Sequence, residues 1–275
     1  YSRLDVMSSI RNQLGLQNTL PKSKDLRVTA IAELMIKVRA DYSETLSVDM
    51  IKNWHSILMS NQAHIQSGDW RKGNEPMQII SGAYGNFKVH YEAPPSANVP
   101  EMMTSFINWY QSFSMESLGK IGEAMLKSAI VHLYFETINP FEDGNGRIGR
   151  ALAEKVLAEN LEKPLYISIS KIKKKKKNAY YEALKIAQRN LDITEWLKYF
   201  FGIICSAELD VKSIAAFTIK KAQFFDRVKE FLNERQMKAI QKMIEYGSDG
   251  FEGGMTARKY VSINKTSKAT ATRDL

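Results

Sequence analysis

The stretch from Glu136 to Arg150 constrains this chain more than any other: Glu136-Thr137-Ile138-Asn139-Pro140-Phe141-Glu142-Asp143-Gly144-Asn145-Gly146-Arg147-Ile148-Gly149-Arg150. A helical run from Lys120 to Ile138 meets a proline, which cannot continue it. Two glycines flanking an asparagine follow, and a new amphipathic run begins at Ile148. Phe141 can anchor the loop in a core. Helix, tight loop and helix N-terminus in this order direct backbone N–H groups and the positive end of a helix dipole at one point, which is an anion cradle. Arg147 and Arg150 stand on neighbouring positions of the first helical turns, where both can face the same anion. Asp143 beside an anion site makes sense if a divalent cation lies between them. The residues alone therefore point to a Mg-assisted phosphate or nucleotide site. The competing explanation is a Gly-rich surface turn with an N-cap, and Asp, Asn and two Arg at this spacing argue against it.

These residues resemble the signature of Fic-domain proteins, His-Pro-Phe-x-(Asp/Glu)-Gly-Asn-Gly-Arg-x-x-Arg. The likeness runs from Pro140 to Arg150 with one departure: Asn139 stands where the family has histidine. The resemblance implies transfer of AMP from ATP to a hydroxyl side chain of a target protein. It implies that Asp143 holds Mg, that the amides of Gly144, Asn145 and Gly146 form the anion hole, and that Arg147 and Arg150 grip the phosphates. The family histidine takes the proton from the attacking hydroxyl. Asn139 cannot, because an amide has no basic lone pair near neutral pH. Losing a general base typically costs about 10²–10⁴-fold in rate, while an intact cradle leaves nucleotide binding in place. Gly146 favours AMP transfer over kinase chemistry, since phosphorylating relatives tend to carry lysine there. Many members carry an inhibitory helix, which in this architecture is expected upstream of Ser8, before Tyr1.

At 275 residues the chain has room for one large domain and a smaller one. Its 44% hydrophobic and 25% charged residues are ordinary for a soluble globular protein. A single cysteine, Cys205, excludes an intrachain disulfide framework and fits a reducing cytoplasm; its apolar neighbours Phe200 to Ile204 suggest a buried thiol. No apolar stretch reaches membrane-spanning length. The net charge of +9 suits phosphate-rich or acidic partners without specifying one.

Along the chain, residues 1–45 read as an N-terminal helical segment, with helices at Leu4–Leu14 and Val28–Val38. Residues 46–215 read as the Fic-type domain. Ser47 caps a helix bearing Trp54 and His55, the latter expected to be structural. Gly68-Asp69-Trp70-Arg71 reads as a turn with an aromatic anchor. Residues 77–92 read as a β-hairpin, turning at Gly82–Asn86 and followed by the stiff Ala93-Pro94-Pro95. An isolated hairpin in a helical protein suits a flap that offers a strand edge to an extended peptide. By resemblance it covers the nucleotide and registers the target segment, with Ile79, Ile80, Ser81 and Gly82 lining the nucleotide side.

A helix over Val99–Phe113 should bury Met102, Phe106, Trp109 and Tyr110. The helix of Lys120–Ile138 should bury Ile121, Met125, Leu126, Ile130, Leu133 and Tyr134. His132 reads as a core histidine and not a substitute base, because two turns put it about 10 Å along the axis from Asn139. The lysine run Lys173–Lys177 reads as a solvated, basic helix start. By resemblance, Tyr180 contacts the adenine, and Gln188 stands where an asparagine is common.

Residues 222–275 read as a truncated winged helix-turn-helix, with Thr256 capping a short helix and Lys268–Leu275 as the recognition helix. The expectation is thus an all-α fold: a Fic-type helical domain with a hairpin flap, and a small C-terminal unit that contacts DNA or a protein. The expected function is protein adenylyltransferase using Mg-ATP, disabled at Asn139. The alternative is a nucleotide-binding pseudoenzyme or regulator acting through the C-terminal unit on DNA or a partner protein. The sequence leaves the oligomeric state open.

Overall fold

The computed structural model describes residues 25–81, 88–165, 167–171, 177–245 and 251–275. The expected helix at Leu4–Leu14, the hairpin turn with Gly82, and most of the lysine run lie outside these residues. The fold is all-α, with one two-stranded antiparallel hairpin among the described residues. The chain divides into two compact units, Tyr1–Ala207 and Glu208–Leu275.

In the first unit, α1 is Leu26–Ala40 and α2 is Val48–Met59. Both begin on side-chain caps: Asp25 accepts from Arg27 N–H, and Ser47 accepts from Met50 N–H. Each such cap is typically worth about 1 kcal/mol. Strand β1 (Gln78–Ser81) pairs with β2 (Lys88–Glu92), with Ile79 opposite Tyr91, Ile80 opposite Val89, and a bulge between these pairs. Helix α3 is Val99–Ser112, α4 is Gly119–Ile138 and α5 is Asn145–Asn160. Helices α6 (Lys177–Ala187) and α7 (Thr194–Val228) follow. Asp192 accepts from Thr194 N–H where α7 starts.

The main core joins α1 to α5. Trp54, Phe106, Phe135, Ile138, Phe141, Ile148 and Leu152 are all 0% exposed. Helix α4 runs through its centre, and here the expected face is right only in part: Leu133 is buried and Tyr134 packs against the core. Ile121 is 67% exposed, whereas Ala124, Ser128, Ala129, Val131, His132 and Glu136 are buried. Small and polar residues let α5 come close, and the polar ones find partners across the gap: Ser128 Oγ donates to the Ala153 carbonyl at 2.9 Å. A Cβ on Gly149 would fall 2.8 Å from Glu136 Oε1 and 3.0 Å from His132 Nδ1, so only glycine permits this approach. A pattern based on apolarity alone cannot see a face built from Ala, Ser, His and Glu.

Cys205 is exposed, contrary to expectation. Helix α7 buries Phe200, Ile203, Ile204 and Ala207, and on a 3.6-residue period Cys205 lies off that stripe.

In the second unit, α8 (Glu234–Glu245), α9 (Ala257–Asn264) and α10 (Lys268–Asp274) pack around Ala239, Tyr260 and Ala271. Thr256 caps α9 by accepting from Lys259 N–H, and Ser267 caps α10 by accepting from Thr270 N–H. Asp274 ties the unit's ends together. Its carboxylate accepts from Arg235 Nε at 2.6 Å and from Tyr260 Oη at 3.0 Å.

Candidate nucleotide site at the motif loop

Residue 139 ends α4 in the left-handed region, at φ 52° and ψ 59°. Asparagine tolerates that region better than most side chains, as histidine does, so the backbone accepts either. Asn139 is 2% exposed. The last turn of α4 should leave four carbonyls without partners, and all four are satisfied. Phe135 O takes the Asn139 amide at 2.9 Å. Glu136 O takes Gln188 Nε2 at 3.1 Å, Thr137 O takes Tyr91 Oη at 2.7 Å, and Ile138 O takes Arg71 Nη2 at 3.4 Å.

The loop then closes on itself. Asn145 Oδ1 accepts from the Phe141 amide at 2.8 Å, and Asn145 Nδ2 donates to the Phe141 carbonyl at 2.7 Å. The Asn145 side chain therefore shapes the loop and leaves its backbone amide to point outward at the start of α5. Gly144 carries φ 83°, and a Cβ there would fall 2.3 Å from Met59 Cε and 3.1 Å from Leu58 Cδ2. The Gly144 amide donates to Asp143 Oδ1. The amides of Asn145 and Gly146, first in α5, have no carbonyl one turn earlier to use. Of the three amides expected to hold an anion, that of Gly144 is thus turned to Asp143, and those of Asn145 and Gly146 stand at the open start of α5.

His55 supports this loop from below. It is 0% exposed and stacks on Phe141, with ring centroids 3.8 Å apart and planes 2° from parallel. Its Nδ1 accepts from the Gly68 amide at 2.9 Å, so the proton sits on Nε2, which donates to the Asp143 carbonyl at 3.1 Å. Burial pushes its pKa below the usual histidine value. Trp70, the anchor of the Gly68–Arg71 turn, packs on the same Phe141 ring at 5.0 Å. Sequence spacing shows His55 on a buried helix face; that it faces Asp143 is a tertiary fact.

The charged residues are arranged unequally. Arg147 Nη2 pairs with Asp143 Oδ2 at 2.9 Å, and the Asp143 side chain is 52% exposed. An exposed pair of this kind contributes about 0–1 kcal/mol, so a polyphosphate can displace it. Arg150 instead turns to Ser170, whose Oγ accepts from Nε at 2.9 Å. Its buried Nη1 makes no hydrogen bond among the described residues. That atom lies 3.1 Å from where a Gly146 Cβ would be, and Glu136 Oε1 lies 3.6 Å from the same point. The two arginines do not face one point here: Arg147 serves the loop and Arg150 the floor.

Tyr180, expected at the adenine, and Gln188, expected at the nucleotide site, both have partners within the fold. Tyr180 is 1% exposed, and its hydroxyl meets His132 Nε2 at 2.8 Å. The next residue, Tyr181, is 38% exposed. Gln188 is committed to the Glu136 carbonyl. Helix α6 thus turns Tyr180 into the core, where Trp196 and Phe200 also meet His132. His132 is itself 0% exposed, in keeping with a core histidine. Ile79, Ile80 and Ser81 lie on β1 of the hairpin, and Gly82 lies outside the described residues.

No helix among the described residues is long and apolar enough to cross a membrane. No group of three or more His, Cys, Asp or Glu among them could hold a metal by itself. A lone half-exposed carboxylate at Asp143, beside amides and arginines that suit phosphate, fits Mg. That ion is commonly held by one or two carboxylates together with substrate phosphates.

A probable protein adenylyltransferase from Aquifex aeolicus is 34% identical over 91 residues, which is 33% of this chain and 27% of that protein. The match thus spans about a quarter of that relative's length. A Fic family protein from Desulfovibrio desulfuricans superposes with a TM-score of 0.57 at 19% identity, covering 99% of this chain and 72% of that one. A Fic domain containing signaling protein from Bacteroides thetaiotaomicron gives 0.54 at 20% identity, covering 74% and 78%. These two likenesses speak to the fold. Residues 45–157, which hold the motif loop, α4 and most of α5, match the model of the Fic/DOC family.

Proposed function

We propose that this domain binds Mg-ATP at the motif loop and has the framework to transfer AMP to a hydroxyl side chain of a target protein, with the transfer step impaired by Asn139. The observation that carries this reading is the loop itself. It is a closed ring from Phe141 to Asn145, with the amides of Asn145 and Gly146 at the open start of α5 and an Arg150 Nη1 that makes no hydrogen bond among the described residues. These groups suit phosphates, and the position that would take a proton carries an amide.

Asp143 would hold Mg with the nucleotide, and the ion would offset charge on the phosphates. Arg147 would leave Asp143 for a phosphate oxygen, exchanging one exposed ion pair for a stronger charge-assisted contact. Arg150 would turn its Nη1 toward the same group. Residue 139, held by its backbone, would present its side chain to the attacking hydroxyl. Asparagine there can hydrogen-bond that hydroxyl but cannot accept its proton at neutral pH, consistent with a rate loss of about 10²–10⁴-fold. The hairpin would register the target as an extended segment along its edge.

Calorimetric titration tests the binding half. Saturable Mg-ATP binding that is lost in Arg150→Ala supports the reading, and no ATP binding with or without Mg overturns it.

A second reading rests on the C-terminal unit. Helices α9 and α10 are joined by Lys265 to Ser267, a turn of helix-turn-helix length, with Lys268 and Arg273 on α10. On this reading the chain is a nucleotide-sensing regulator that contacts DNA or a partner protein. DNA affinity that falls steeply with salt would support it.

A further inference from the structure

Arg71 is 5% exposed, and its recorded hydrogen-bond partners are all main-chain groups. Its Nε donates to the Asn139 carbonyl at 2.8 Å, and its Nη2 donates to the Pro94 carbonyl at 2.5 Å and the Ile138 carbonyl at 3.4 Å. Its own amide donates to the Pro140 carbonyl at 2.9 Å. A buried guanidinium normally needs a carboxylate. Here the negative end of α4 takes that part, because the last carbonyls of a helix carry about half an elementary charge. The planar fork of arginine suits three carbonyls converging from two directions; a lysine cannot reach them in this way.

Those directions are informative. Ile138, Asn139 and Pro140 form the end of α4 and the start of the motif. Pro94 belongs to the stiff foot of the hairpin, directly after Ala93, whose amide donates to the Met77 carbonyl at 2.9 Å and closes the hairpin base. Tyr91, near the end of strand β2, adds a parallel tie through its hydroxyl to Thr137 O. The flap foot and residue 139 therefore share one buried cation.

We propose that Arg71 is a positioning residue that locks residue 139 in its left-handed conformation and fixes the hairpin foot to it, so that flap and proton-accepting position move as one piece. The structural part stands on the hydrogen bonds alone. The catalytic part rests on the reading of residue 139 as the site of the base.

Two measurements keep these parts separate. In the native chain, amide hydrogen exchange is compared with Arg71→Lys and Arg71→Gln. The expected result is exchange at least tenfold faster in residues 91–95 and 137–141 together, with α1 and α2 unchanged. Acceleration in only one of these segments, or in neither, overturns the coupling. In the Asn139→His background, Arg71→Lys should lower kcat for AMP transfer at least tenfold and leave the ATP dissociation constant within twofold, because the cradle at Asn145–Arg150 is untouched. A parallel rise in the dissociation constant, or an unchanged kcat, overturns the positioning role. If Asn139→His itself transfers nothing, the reading of function fails, while the exchange result still decides whether Arg71 couples the two segments.

Discussion

Replacing His55 by phenylalanine isolates what the histidine does for the motif loop. Phenylalanine keeps the flat ring against Phe141, where the centroids lie 3.8 Å apart. It removes both hydrogen bonds, the one from the Gly68 amide and the one to the Asp143 carbonyl. A buried polar group left without a partner costs about 1–3 kcal/mol. The Gly68 amide should bear a full cost, and the part-buried Asp143 carbonyl can turn toward water. The expected loss is therefore about 2–4 kcal/mol of unfolding free energy, measured by urea denaturation followed by tryptophan fluorescence. Freed from the strut, the Asp143–Gly144 segment should also bind Mg-ATP at least fivefold more weakly. His55→Gln, which offers both an acceptor and a donor, should recover part of each loss. A stability change below about 0.5 kcal/mol, within the range of ordinary surface substitutions, would refute the assignment of His55 as the loop's support.

Four further outcomes follow from contacts elsewhere in the molecule. Gly144→Ala combines a positive φ, costing about 1–2 kcal/mol, with a Cβ 2.3 Å from Met59 Cε; melting should reveal a loss, and Met59→Ala should relieve the steric part of it. Burial raises the Glu154 carboxyl to about 7, so the folded chain keeps a proton that the unfolded chain has lost above the usual carboxylate range. Stability from this group should be complete at lower pH and fall as pH rises toward 7, and Glu154→Gln should flatten that slope in urea titrations. Asp274→Ala removes the partner of Arg235 and Tyr260; the C-terminal unit should lose protection from limited proteolysis before the first unit does. Asp143→Asn should abolish the Mg dependence of ATP binding measured by calorimetry.

The motif was legible in the sequence because proline, two glycines and a helix restart leave the backbone few choices. Caps at Ser47 and Thr256 were legible for the same local reason, as was the hairpin of β1 and β2. What escaped was decided between elements. The buried face of α4 is made of Ala124, Ser128, His132 and Glu136, which no apolar period marks. Tyr180 was expected at a ligand, yet its hydroxyl finds His132 from another helix. Gln188 is used to satisfy the end of α4. Arg71 and His55 were visible only as a turn residue and a structural histidine. Their importance lies in which carbonyls they reach, and those belong to Pro94, Ile138, Asn139 and Asp143. Asn139 is the opposite case, since its chemistry is plain from its identity, and the structure adds that its backbone is held from both sides.

The central claim is that a working phosphate cradle is paired with an amide where a base is needed. The most direct test is label transfer from α-phosphate-labelled ATP with Mg, to the protein itself and to a cell lysate, with this chain run beside Asn139→His. The account predicts label with the histidine variant, and at least a hundredfold less with the native chain. Equal label from both would contradict it, because another group would then take the proton. No label from either, despite ATP binding, would contradict the transferase reading and favour a nucleotide-binding regulator.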